Sequence, residues 1–118
     1  MHRILFALLA LSLASCSTVP AAVDWQHGAK HGWVSQMYSS ATPKQTIPAC
    51  LSSFSPTELD QRHFARISYR NARRMLVEVG ELPEGAVAQI DDRVELWPAD
   101  CDQGKLSRIT RVMAQASH

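Results

Sequence analysis

No stretch of these 118 residues is apolar for long enough to cross a bilayer, and neither sign of charge dominates. The longest apolar run, Ile4 to Ala14, is broken only by Ser12; as a helix it would rise about 16 Å against roughly 30 Å of hydrocarbon. It is too short for a comfortable span. Twelve Lys and Arg stand against eleven Asp and Glu, which lacks the basic footprint of a nucleic-acid binder. No nucleic-acid partner is expected. Patterns that announce catalytic centres are missing too, with no G-x-S-x-G, no H-E-x-x-H and no C-x-x-C. The expectation is a protein that is not an enzyme and needs no cofactor. His27 and His31 are four apart, as two metal ligands on a helix would be, but Gly28 and Gly32 oppose a helix and no cysteine or carboxylate pair completes a site. No metal is expected.

What is present begins with the first fifteen residues: one base, Arg3, then the apolar run, then small residues. This is the layout of a secretory signal peptide. It ends in Leu13-Ala14-Ser15-Cys16, which resembles the lipobox of bacterial lipoproteins. The resemblance implies cleavage before Cys16, acylation of that cysteine, and a mature chain of 103 residues from Cys16 to His118. In that family a residue other than Asp after the lipidated cysteine implies transfer to the outer membrane. Ser17 stands there, so the expected location is the periplasmic face of the outer membrane, with membrane lipid as one partner through Cys16.

Three cysteines would leave a secreted protein one unpaired thiol; with Cys16 acylated, Cys50 and Cys101 remain as a pair. An oxidising compartment favours a disulfide between them over the alternative of two buried free thiols. Closing so long a loop is worth roughly 4 kcal/mol on the chain-entropy model.

Residues 16–49 hold Pro20, Pro43 and Pro48 among Ser, Thr and Ala without a sustained apolar period, and read as a flexible lipid-anchored tether. Trp25, Trp33, Met37 and Tyr38 interrupt it. They suit packing on the domain, a membrane interface, or a partner-binding peptide. The domain proper is expected over residues 50–118.

Ser55-Pro56-Thr57-Glu58 is a helix start, with a serine cap, proline at the first position and glutamate for a capping box. A short helix, Pro56 to His63, should follow. Ala65, Ile67 and Tyr69 alternate with Arg66, Ser68 and Arg70, and Met75, Val77 and Val79 alternate with Arg74, Leu76 and Glu78. Period two on both sides of Asn71-Ala72-Arg73 reads as a hairpin. Two further short strands are expected, Ala86 to Ile90 and Arg93 to Trp97, joined by a turn at Asp91-Asp92. The phrase around them resembles one common in small β-barrels, where a glycine occupies the place of Asp91; aspartate tolerates the left-handed conformation better than most residues.

Residues 105–116 fit a helical face as well as a strand, and the β-branched Ile109, Thr110 and Val112 favour a closing strand, Ser107 to Met113. The expected fold is mainly β with one short helix: a small SH3-like or OB-like barrel, or curved antiparallel sheet, of about five strands. Charge is layered along it: Arg62, Arg66, Arg70, Arg73 and Arg74 come first, eight acids follow over residues 75–102, then Lys105, Arg108 and Arg111. Pairing across strands is the expected use, and a basic patch for anionic headgroups or a partner is the other. Glu78, Glu81, Glu84, Asp91, Asp92 and Glu95 read as exposed charge.

The functional expectation is a structural or protein-interaction module of the cell envelope with an envelope protein as partner. The alternative is a binder of cell-wall glycan or a small ligand, which Trp25, Trp33 and Trp97 in one groove would favour and burial of Trp97 would oppose. An envelope hydrolase ranks last.

Overall fold

The computed structural model describes residues 23–113. The signal segment 1–15, the lipobox and Cys16 lie outside the described residues. Five strands, β1 (Lys30–Met37), β2 (Phe64–Asn71), β3 (Arg74–Glu81), β4 (Arg93–Trp97) and β5 (Ser107–Met113), close in the order β1-β2-β3-β5-β4. One helix, α1 (Pro56–Gln61), and four short 3-10 turns complete the described chain. All strand pairs are antiparallel except β3 with β5, which meet in parallel at Gly80↔Ser107 and Glu81↔Arg108. The result is a small Greek-key barrel, open beyond those two pairs, of the OB-like kind.

The hairpin is short and its register decides what faces inward. Asn71 pairs Arg74 across the two-residue loop Ala72-Arg73, with Ala72 at φ 56°. Tyr69 therefore opposes Leu76 while Arg70 opposes Met75 and Ser68 opposes Val77. Because paired residues share a face, Ala65, Ile67 and Tyr69 enter the core and the β3 valine–methionine stripe does not. Val77 and Met75 remain 40% and 54% exposed on the outside.

The interior is filled by Val34, Ala65, Ile67, Tyr69, Leu82, Val94, Leu96 and Ile109. A second apolar cluster covers one outer patch, where Phe64 and Val79 meet Tyr38, Leu51 and Leu59 beside Cys50 and Cys101. These cysteines form a disulfide that joins the turn Ala49–Leu51 to the turn Cys101–Gln103. Each fully buried side chain such as Phe64 or Leu51 contributes about 2 kcal/mol by area.

α1 starts as the sequence indicates: Ser55 Oγ accepts from Glu58 N–H, and the Glu58 carboxylate accepts from Ser55 N–H. It stops at Gln61 rather than His63, because Arg62 is already extended at φ −98° and its chain leads directly into β2.

Two elements differ from expectation. The span 16–49 is not all tether, since Lys30–Met37 is the first barrel strand, paired with both β2 and β4. Its alternation is masked because the inward place before Val34 is Gly32, where a Cβ would collide with the Ile67 side chain. A bulge between Val34 and Gln36 then shifts Met37 inward. Residues 86–90 form no strand. Ala86 and Ala88 do pack against the core while Val87 is 83% exposed, so the alternation is real, but hydrogen bonds such as Ala86 N–H to Pro83 O and Gln89 N–H to the Asp92 carboxylate make it a turn-rich cover. Asp91 adopts φ 73° in the turn that follows.

Candidate interaction surface of the barrel

On β4, Val94 and Leu96 point into the core, so Arg93, Glu95 and Trp97 point outward. The segment that enters the barrel, residues 23–29, lies over the middle of this row and leaves Glu95 only 5% exposed. The carboxylate is fully used: Arg111 Nη2 and the Asp24 amide donate to Oε2 at 2.8 and 2.9 Å, and Thr110 Oγ1 donates to Oε1. Burial by itself would raise this carboxyl; the Arg111, Thr110 and Asp24 hydrogen bonds outweigh it and hold the pKa at about 2. Glu95 thus clamps the incoming chain to β4 and β5. Reading it as exposed charge was incorrect, and no local pattern marks it, because its cover comes from residues 71 positions away.

The three tryptophans lie on this side without forming one groove. Trp33 faces outward on β1 opposite Arg93, with the His31 ring edge-on at 4.8 Å. Trp97 is half-buried at the other end of β4, its Nε1–H donating to Thr110 Oγ1 and its ring lying under the Arg108 guanidinium. Four residues of strand, about 13 Å, and the Glu95 clamp separate these two. Trp25 sits exposed in the turn Trp25–His27. His27 bonds Asp24 in that same turn while His31 belongs to β1, so the pair four apart does not converge. Burial, and secondarily Arg93, lower the His31 pKa.

The seam between β3 and β5 is the open part of the barrel. Beyond Arg108, β5 has β4 on one side and no strand on the other among the described residues. A groove of about 900 Å³ runs along this edge, with Pro83, Ala86, Val87, Val112 and Met113 as its apolar wall. Its polar rim includes His31, Arg93 and Arg111. No tryptophan lines it.

The layered charges pair less than the sequence suggests. Arg62 binds Glu81, and Arg111 binds its cross-strand partner Glu95. Arg66, Arg70, Arg73, Arg74 and Arg93 are exposed and make no ion pair among the described residues. The missing cross-strand partners have a simple cause: the residues opposite Arg66 and Arg70 are Val79 and Met75, since the acid Glu78 falls in register with Ile67. Burial raises the Glu78 pKa, opposed by the Cys101 amide that donates to it and reinforced by Asp100 and Asp102.

Among the described residues, fold and surface together define a small, disulfide-tied β-barrel with an open seam and a basic face whose arginines make no ion pair. Comparison with known proteins finds no matching family model, no matching curated protein and no matching solved structure.

Proposed function

We propose that this protein is a lipid-anchored lipoprotein of the cell envelope whose barrel is a protein-interaction module at the periplasmic face of the outer membrane. The anchoring half rests on the Leu13-Ala14-Ser15-Cys16 lipobox and on Ser17. The observation that carries the interaction half is the lapse of barrel closure at β5, which leaves a strand edge beside a groove with an apolar wall. An extended segment of a partner can pair with such an edge through its backbone and place alternate side chains in the groove. The same seam leaves residues 74–79 of β3 without a strand on that side, but the groove lies along β5; β1, β2 and β4 each have two strand neighbours.

Photo-crosslinking in cells that express the full chain tests this directly. A photoreactive residue in place of Val87, at the groove wall, should give one discrete adduct in the membrane fraction, and the same residue in place of Ser52, remote from the groove, should not. Equal labelling from both positions, or none from Val87, would remove the interaction reading. An intact mass of the membrane-extracted protein tests the anchor separately: a species starting at Cys16 with added acyl mass is expected, and an unmodified one would refute it.

A further inference from the structure

We infer that the outward face of β1, β2 and β3, with Arg93 at its β4 margin, seats the barrel on the anionic headgroups of a lipid bilayer. The face is assembled by register. Arg93 opposes Trp33, Trp33 opposes Ser68, and Ser68 opposes Val77, so these four form one row across β4, β1, β2 and β3. Arg70 with Met75 makes a parallel row on β2 and β3, and Arg66 adds an exposed guanidinium opposite Val79, which the outer cluster covers. Arg73 and Arg74 extend the basic edge at the hairpin tip.

Two properties of this face point to the same occupant. Among the described residues its guanidinium groups have no carboxylate partners, and a guanidinium fork suits phosphate oxygens. The acids next to Arg93 in sequence are engaged elsewhere: Glu95 is buried and held by Arg111, and Asp92 accepts from the Gln89 amide. Between the arginines lie Val77, Met75 and the half-buried Trp33, the aliphatic and indole surface that settles at the level of lipid headgroups. The outside of a barrel is convex, and the groove at the β5 edge is lined by neither Trp33 nor any residue of β2 or β3. A planar, negatively charged surface fits it.

The position of the chain entry supports this choice over a soluble acidic protein, and here the inference rests on the anchoring reading. The Asp24 amide is fixed to Glu95, two residues from Arg93 on the same outward side of β4. Six residues lie between Cys16 and Val23, so the seven steps from one to the other span at most about 25 Å. An anchor at Cys16 keeps this face close to the bilayer. A tether running to residue 49 would not.

The test uses the mature chain, residues 16–118, with Cys16→Ser so that acylation cannot contribute. Its partition is measured on vesicles of phosphatidylcholine and on vesicles in which about a third of the lipid is phosphatidylglycerol. Binding should require the anionic lipid and weaken in salt. The triple variant Arg66→Gln/Arg70→Gln/Arg93→Gln should lose about a hundredfold, each basic group near an anionic surface contributing about fivefold. Lys105→Gln, off this face, should bind as the parent does, and unchanged thermal unfolding of the triple variant shows that it is folded. Equal partition onto both vesicles, or binding by the triple variant that matches the parent, overturns the inference. So does a parent that ignores both vesicles while the same arginines retain it on an acidic peptide, which would assign the face to a protein. Absence of acyl mass on Cys16 would instead remove the anchor and leave this measurement to stand alone.

Discussion

Glu95 shows how far one side chain can depart from what its neighbours in sequence suggest. A carboxylate with three hydrogen bonds, one from an arginine, keeps its charge although it is 5% exposed. Its folded pKa, about 2, lies below the ordinary 4.5, so its contribution to stability is present above that ordinary value. It is lost as pH falls from there toward 2. Glu95→Gln should therefore lower stability near neutral pH by about 2 kcal/mol, the worth of charge-assisted hydrogen bonds, and flatten the acid limb of stability against pH. Thermal unfolding of both proteins across that range is the check, and an unaltered acid limb would rule the clamp out. Asp91 behaved as the sequence indicates, with φ 73° where a related turn has glycine. The contrast is physical: a turn conformation is a local property, whereas the cover over Glu95 comes from the far end of the chain.

At the level of elements, strands were legible where the residues alternate and their partner is near in sequence. The hairpin β2–β3 and the strands β4 and β5 show this. β1 was not, because its inward face is a glycine followed by a bulge. Gly32 is the reason Ile67 can reach the barrel centre. Gly32→Ala should cost about 2 kcal/mol through overpacking, and the cost should shrink in an Ile67→Ala background, where the colliding group is gone. Denaturant unfolding of the four proteins closes this cycle; strictly additive losses would place the role of Gly32 elsewhere. β3 teaches a second lesson. Its apolar stripe looks like a core face, yet the Asn71↔Arg74 register turns Met75 and Val77 outward, and what reads as core becomes surface available to a partner.

On the scale of the whole molecule, the disulfide joins two turns that both pack on the outer cluster around Phe64. It closes a loop with a separation of 51 residues, which corresponds to about 4 kcal/mol of restricted unfolded-state freedom. For a domain of this size that is a large share of the total. Reduction, or the Cys50→Ser/Cys101→Ser variant, should lower the denaturant midpoint accordingly without changing the native fold. A midpoint that does not move under reduction would show the bridge to be energetically idle. The barrel order alone carries no function, since small barrels serve many; the seam and the basic face are what distinguish this one.

Sequence alone determined the β class, the approximate strand number, the helix cap, the cysteine pair, and the expectation of an acylated N-terminus, since these depend on composition, local period and short motifs. Only the tertiary structure decided that the barrel begins at Lys30, that residues 86–90 cover rather than pair, and which arginines find acids. Those outcomes depend on register and on contacts between distant segments. A one-residue change of register exchanges inside for outside, and no local pattern specifies that choice when both faces of a strand carry apolar residues.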